Sequence, residues 1–91
     1  MGLKSTTVCL GYQQITSLSA STGLTVPDGA TLAVIIPESQ AVRWRDDGTN
    51  PTSAVGMPVP ISTVLSYDGN LKNIRFIEQA ASAKLNVSYY A

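Results

Sequence analysis

The residues with the most potential for chemistry lie together in the run Asp46-Asp47-Gly48-Thr49-Asn50. Carboxylate and amide oxygens are the ligands that Ca²⁺ takes in proteins. The run lacks the alternate spacing of acidic residues and the distal Glu of an EF-hand loop. Because Asp46 and Asp47 are adjacent, extended backbone would point their side chains to opposite sides. Asp, Asn and Gly are also the residues that turns favour. We therefore interpret the run as a turn and expect no metal site.

The chain contains no His and a single cysteine, Cys9. His is the commonest general base and a frequent member of catalytic triads and zinc sites. A lone Cys without His does not make a papain-like nucleophile. We expect Cys9 to be a small buried apolar side chain. Neither G-x-x-x-x-G-K nor G-x-G-x-x-G occurs, so the two common phosphate-binding patterns are missing. These absences predict a protein that is not an enzyme and takes no cofactor.

The charge pattern argues against two classes of partner. Six Lys and Arg residues balance six Asp and Glu residues, and the formal net charge is zero. Neither sign forms the cluster that a nucleic-acid surface needs to displace counterions from phosphates. No stretch approaches the ~20 consecutive apolar residues that cross a bilayer. We therefore expect neither nucleic acid nor a membrane as partner.

The fraction of charged residues is low. It is 13% of the chain, against about 25% in typical domains. Interface cores are depleted of charge, so the composition fits a protein whose surface is covered by other proteins. Alternatively, Ser, Thr, Asn and Gln supply the polar surface. The composition leaves both explanations open.

A strand is predicted immediately before the acidic turn, at residues 41–45. Side chains alternate across a strand, which places Val42 and Trp44 on one face and Arg43 and Arg45 on the other. We expect Trp44 to belong to the core. The two arginines are expected on the solvent-facing side, where they can pair with Asp46, with Asp47 or with a carboxylate of a neighbouring molecule.

The next segment, residues 46–60, shows no periodic pattern and contains three prolines. It is predicted to be a loop of about 15 residues, which is long enough to suggest a role in contacts. Of the adjacent tyrosines near the end of the chain, one must face outward, and Tyr is enriched at interfaces. The candidate contact residues are Asp46, Asp47, Thr49, Asn50, Pro51 and Met57 in the loop, and Arg43, Arg45 and Tyr90 on strands.

Short strands are predicted on the N-terminal side of this region. Residues 6–12 alternate with Val8, Leu10 and Tyr12 on one half-buried face, and residues 13–18 are predicted as a second short strand. Residues 19–23 have the composition of a loop, and a turn follows at residues 27–29. The apolar run at residues 30–36 is predicted to be a strand covered on both faces and closed by Pro37.

Three more strands are predicted on the C-terminal side. The first, residues 61–67, has Ile61, Thr63, Leu65 and Tyr67 on one face. Asp68-Gly69 is a hairpin signal that predicts a returning strand at residues 72–78, with Ile74 and Phe76 on one face. Residues 79–83 are predicted to be either a loop or a short helical turn. Residues 84–90 alternate, with Leu85, Val87 and Tyr89 inward.

This pattern predicts the fold class. Short strands separated by turn signals every eight to twelve residues are typical of a sandwich or small barrel, and no helical stretch lies between them. At 91 residues the chain has the size of one domain. We predict an all-β fold, a small antiparallel β-sandwich or jelly-roll-like barrel of about seven to eight short strands, in a single domain over residues 1–91.

The order of several short motifs resembles that of small structural proteins of tailed bacteriophages and prophages. These motifs are L-x-V-P-x-G-A at residues 24–30, V-R-W-R-x-D-G-x-x-P-T at residues 42–52, and a closing aromatic strand at residues 87–90. The resemblance spans about residues 24–90. It implies a compact β-sandwich that is part of the virion, made in the bacterial host cytoplasm, at the capsid surface, the neck or the tail. It also implies a homo-oligomer that contacts other virion proteins.

Two functions follow as hypotheses. The first is a non-enzymatic virion structural protein whose loop at residues 46–60 and outer strand faces contact copies of itself or other virion proteins. The second is a receptor- or glycan-binding module of a phage tail-tip or fibre protein. Exposed Tyr residues near a loop would support it, and a dry, self-complementary patch would count against it.

Overall fold

The structure, a computed structural model, describes residues 7–91, and this part of the chain folds into eight β-strands without any helix. It therefore contains no helix with the length and hydropathy that a membrane span requires. The strands are β1 (Cys9–Ile15), β2 (Thr22–Gly23), β3 (Leu32–Glu38), β4 (Val42–Arg45), β5 (Met57–Val59), β6 (Leu65–Tyr67), β7 (Arg75–Glu78) and β8 (Lys84–Tyr90).

The strands form two four-stranded sheets, and every pair is antiparallel. Sheet A has the order β1-β8-β3-β6 and sheet B the order β2-β7-β4-β5. The pairs β1·β8, β2·β7, β3·β6 and β4·β5 are nested inside one another along the chain. An eight-stranded double sheet wound in this way is a jelly roll, so the predicted fold class is confirmed.

Strand β8 lies inside sheet A and pairs with β1 on one side and β3 on the other. Its alternation is complete, since Leu85, Val87 and Tyr89 are buried and the residues between them are half-buried. This face was predicted from the sequence and is confirmed. Beyond β8, the amide nitrogens of Val8 and Ala91 each donate to the other residue's carbonyl, at 2.9 and 3.0 Å, and extend the β1·β8 pairing.

The core lies between the inner faces of the two sheets. Burying these side chains stabilises the fold by roughly 25 cal/mol for each Å² of apolar surface removed from water. Sheet A contributes side chains from β1, β3 and β8, sheet B contributes from β4, β5 and β7, and connecting segments close the ends. The buried hydrophobic residues are Ile15, Leu18, Ala33, Ile35, Val42, Val59, Leu71, Ile74, Phe76, Ala83, Leu85, Val87 and Tyr89.

Strand β1 corrects two predictions. Val8, Leu10 and Tyr12 do not share a half-buried face, because all three are exposed. A β-bulge lies between Cys9 and Gly11, and the extra residue of a bulge shifts the alternation of the residues beyond it. Cys9 is exposed rather than buried, with Sγ 3.7 Å from Ser88 Oγ. The predicted start of this strand at Thr6 lies outside the described residues, and residues 13–15 continue β1 instead of opening a second strand.

Strand β3 is less enclosed than predicted. Ala33, Ile35 and Pro37 are buried, whereas the residues between them are half-buried, so only one face of the strand lies in the core. Pro37 is within the strand rather than after its end. Its carbonyl still accepts a hydrogen bond from the Ser62 amide at 2.9 Å, although the residue has no N–H to give to a ladder.

The second half of the chain departs from prediction in three places. The predicted loop at residues 46–60 contains β5, which carries Pro58 at the edge of sheet B, where a missing donor is tolerated. The predicted strand at 61–67 is reduced to Leu65–Tyr67. The Asp68-Gly69 turn does not make a hairpin, because β6 belongs to sheet A and β7 to sheet B.

Truncation of a core side chain is expected to destabilise the fold far more than truncation of an exposed one. Ile35 is fully buried and Ile61 is an exposed residue of a turn. We expect Ile35→Ala to lower the free energy of unfolding by about 2–5 kcal/mol, because it leaves a cavity. Ile61→Ala is expected to change it by no more than about 0.5 kcal/mol. Urea unfolding of both variants measures the difference, and equal effects would contradict the placement of the core.

Candidate functional site

An open groove of about 460 Å³ lies beside the end of β4. It is lined by Trp44, Arg45, Asp46, Asp47, Val55, Gly56 and Met57. The pairing of β4 with β5 creates it, since Trp44 lies directly opposite Met57 in the ladder. The groove therefore combines the end of one strand with the edge strand that follows it.

The apolar part of the groove is formed by Trp44, Val55 and Met57. Trp44 is half-buried and packs against the core, as expected from its alternation with Val42. Its ring meets Tyr67 of sheet A edge to face, with ring centroids 5.8 Å apart and planes at 62°. Such aromatic pairs contribute about 0.5–1.5 kcal/mol beyond their buried area. Val55 and Met57 are exposed, so the groove presents apolar surface to solvent on a fixed aromatic support.

Asp46 accepts hydrogen bonds from β6 of the opposite sheet and from the segment that follows β6. The Tyr67 hydroxyl donates to Asp46 Oδ2 at 2.6 Å, and Asn73 Nδ2 donates to the Asp46 carbonyl at 2.8 Å. Desolvation, reinforced by the bond to Asp46, raises the pKa of Tyr67 to about 12. Asp46 thus ties the end of β4 to Tyr67 in sheet A.

Arg45 and Asp47 form a two-point ion pair on the rim. Arg45 Nε donates to Asp47 Oδ1 at 3.1 Å, and an Nη atom donates to Oδ2 at 2.5 Å. The hydrogen bond from Arg45 lowers the pKa of Asp47 below its ordinary value, and the same bond raises the pKa of Arg45. Asp47 Oδ1 also accepts from the Thr49 amide at 3.3 Å. The predicted pairing with a neighbouring aspartate is confirmed for Arg45, whereas Arg43 donates to backbone carbonyls instead.

The segment that carries Val55 is held by Arg43. Its Nε donates to the Ser53 carbonyl at 3.2 Å and its Nη1 to the Gly56 carbonyl at 2.8 Å. Thr52 and Val55 exchange backbone hydrogen bonds of 2.8 and 3.2 Å, which closes a tight turn. Arg43 therefore organises this wall of the groove from its own strand.

The structure brings only part of the predicted contact residues together. Arg45, Asp46, Asp47 and Met57 line the groove together. Arg43, Thr49 and Asn50 make internal hydrogen bonds, and Asn50 accepts one from Ser21 at 3.0 Å. Pro51 is buried, against the expectation of an exposed contact residue, because it packs beside Gly56 and Arg43. Tyr90 lies on sheet A, away from the groove, with its hydroxyl accepting from Ser88 Oγ at 3.2 Å.

Sequence reasoning did not select three residues that shape the groove. Trp44 was assigned to the core alone, although a strand that ends one residue later leaves one side of its ring uncovered. Val55 lies in a segment without a periodic pattern of apolar residues, so the sequence did not indicate its position. Tyr67 was assigned to a strand face, and its contact with Asp46 joins the two sheets. The available signal for the groove was that Trp44 and Asp46 lie just before a segment with three prolines.

The groove combines internally bonded carboxylates with open apolar surface. Its carboxylates already accept hydrogen bonds from Tyr67, Arg45 and Thr49. Within residues 7–91, no three His, Cys, Asp or Glu side chains come together in a group that suits a metal ion. The apolar atoms of Trp44, Val55 and Met57 are the part of the groove that lacks a partner in the described chain. An apolar side chain would fit there.

Comparisons of the chain with protein-family models, with curated proteins and with solved structures found no significant match.

Alkaline pH is expected to destabilise the fold through two tyrosines. The pKa of Tyr67 and that of Tyr89 are both raised from 10.0 to about 12, in each case first by desolvation. The folded state therefore favours the protonated hydroxyls. Their contribution to stability is complete below pH about 10 and is lost as pH rises towards about 12.

Urea unfolding at several pH values between about 9 and 12 measures this loss. Tyr67→Phe should make the decline in unfolding free energy less steep, and Tyr67→Phe with Tyr89→Phe should reduce it further. An unchanged slope in the double variant would contradict the assignment.

Gly56 is expected to be sensitive to substitution because of its surroundings as well as its backbone. Its φ is 147°, and a Cβ there would lie 3.1 Å from Arg43 Cβ and 3.2 Å from both Pro51 Cβ and the Trp44 carbonyl. Gly48 also has positive φ, 86°, but has no atom within 4 Å of the corresponding position.

We expect Gly56→Ala to lower the free energy of unfolding by about 1–3 kcal/mol more than Gly48→Ala does, because only Gly56→Ala adds overpacking. Urea unfolding followed by Trp44 fluorescence measures the free energy of unfolding of both variants. Equal losses would mean that backbone strain, not the close approach at the groove, determines the effect.

Proposed function

We propose that this chain is a non-enzymatic structural protein of a tailed-phage virion, and that it contacts other virion proteins through the groove beside Trp44. The observation that carries the proposal is the state of that groove. Its charged rim is satisfied internally by the Arg45–Asp47 pair and the Tyr67–Asp46 bond, while its apolar surface is open. A surface of this kind gains most from an apolar group brought by another protein.

The composition of the groove supports a protein partner. Aromatic residues, Met and Arg are enriched in protein interfaces, and binding energy concentrates in a few anchors that fill well-packed pockets. Trp44 and Met57 are residues of this type, and Trp44 is fixed by Tyr67 before binding. A partner would therefore meet a preorganised surface, which reduces the entropy lost on association.

The virion assignment is supported by the ordered motifs over residues 24–90 that resemble those of phage structural proteins. The jelly roll is compatible with it, because capsid domains use this architecture. Lectins use it too, so the fold alone favours neither an assembly protein nor a glycan-binding module. The internally paired carboxylates favour assembly, because a sugar would have to compete with Tyr67 and Arg45 for them.

Incorporation into particles tests the proposal. Particles are assembled from a phage or prophage that encodes this chain, with wild-type and variant copies in competition. Met57→Ser and Val55→Ser should each reduce incorporation about tenfold or more, which corresponds to the loss of roughly 1.4 kcal/mol of contact energy. Val64→Ser is the matched control, since Val64 is 59% exposed and Met57 is 57% exposed, but Val64 does not line the groove.

Two results would overturn the proposal. One is incorporation that is unaffected by Met57→Ser and Val55→Ser. The other is a purified protein that ignores capsids and tails but binds host glycans on an array, which would assign the chain to receptor recognition.

A further inference from the structure

The four edge strands of the sandwich are unequally protected against pairing with another chain. Exposed edges are normally blunted by shortness, proline, charge or a bulge. β2 has two residues, β6 has three, and β5 has three with Pro58 among them. β1 has seven residues and contains neither proline nor a charged residue. It is the long edge of sheet A.

The side of β1 that faces away from β8 has no backbone–backbone partner in the described chain. Thr25 and Pro27 approach the strand at Gln13 and Gly11, and the Thr25 amide donates to the Gln13 side chain at 3.2 Å. The ladder of β1 runs along β8 only. Within residues 7–91, no other backbone–backbone hydrogen bond involves Cys9–Ile15. Unpaired N–H and C=O groups along a strand are a template for a further strand. The bulge between Cys9 and Gly11 disturbs the first part of β1, whereas residues 11–15 pair with β8 in unbroken register.

The side chains of β1 favour a neutral partner. Residues 5–27 contain no charged residue, so the strand offers no attraction to a charged segment. Leu10 is 37% exposed and Tyr12 is 64% exposed. Tyr12 is held in place because its hydroxyl donates to Asn86 Oδ1 at 2.6 Å, and Gln14 Nε2 donates to the same atom at 3.0 Å. The edge is therefore ordered before any partner arrives.

We propose that the occupant of this edge is β1 of a second copy, paired antiparallel about a two-fold axis. In such a pair each residue lies opposite a residue of the same strand, and like charges placed there would repel. β1 carries none. The register that uses the whole regular stretch, residues 11–15, centres on Gln13 and places Tyr12 of one copy opposite Gln14 of the other. Sheet A would then continue through the dimer as one eight-stranded sheet.

The β1 edge is separate from the groove and from the function proposed for the groove. The groove lies on the strands β4 and β5 of sheet B, whereas the edge lies on sheet A. A dimer through β1 would therefore carry two grooves, one on each copy.

Sedimentation of the purified protein over a range of concentrations tests the proposal. Wild type should be a reversible dimer. Tyr12→Lys and Gln14→Lys should each weaken the dimer at least tenfold, because a lysine on an edge strand opposes pairing. Ser66→Lys is the matched control, since Ser66 is exposed on β6, the opposite edge of the same sheet, and it should leave the dimer intact. Unchanged circular dichroism of the three variants shows that each is folded.

Amide hydrogen exchange locates the contact. Amides within residues 11–15 should become more protected as protein concentration rises. A wild-type monomer at all concentrations up to about 1 mM, the weak end of measurable affinity, would overturn the proposal. A dimer that is indifferent to Tyr12→Lys and Gln14→Lys would do so as well. Protection that does not depend on concentration would assign the edge to another segment of the same chain, and protection that requires added capsids or tails would assign it to a different protein.

Discussion

The burial of one face of β8 is the constraint on which the rest of the structure depends. Leu85, Val87 and Tyr89 lose nearly all contact with water, and they do so only because β1 and β3 flank the strand and sheet B covers it. The last strand thus lies between strands from the first half of the chain. The paired residues are far apart in sequence, so the entropy of closing long loops is lost before these pairings stabilise the fold. The sandwich is therefore expected to form cooperatively.

The groove is a local consequence of how the two sheets meet. Tyr67 belongs to sheet A and Trp44 to sheet B, and their edge-to-face contact together with the bond to Asp46 joins the sheets at this point. Tyr67 also donates to Asp46, and Arg45 pairs with Asp47, so both carboxylates of the groove have partners within the chain. The sandwich core thus supports the aromatic surface directly, without a long flexible loop in between.

Sequence reasoning succeeded where alternation was unbroken and failed where one residue or one connection changed it. β8 alternates regularly, so its inward face was predicted correctly. In β1 a single bulged residue shifted the alternation. Gly11 was the available signal, because a glycine inside a strand often marks a bulge. Asp68-Gly69 was recognised as a turn, but turn chemistry is local and does not determine which sheet the next strand joins. β5 was missed because Pro58 is unfavourable in a ladder yet acceptable at an edge. Four of the seven residues that line the groove were among the predicted contact residues, whereas the exposed side of Trp44 depends on where β4 ends.

The paired backbones of Val8 and Ala91 bring positions from the two extremes of the described chain into direct contact. Because these positions are neighbours, a few linking residues would suffice to join them without disturbing a ladder. The sandwich is therefore topologically suited to circular permutation, with new termini opened at an exposed connection such as residues 61–63. It is equally suited to insertion as a compact unit into a surface turn of another protein, whose own chain would enter and leave at nearly the same point.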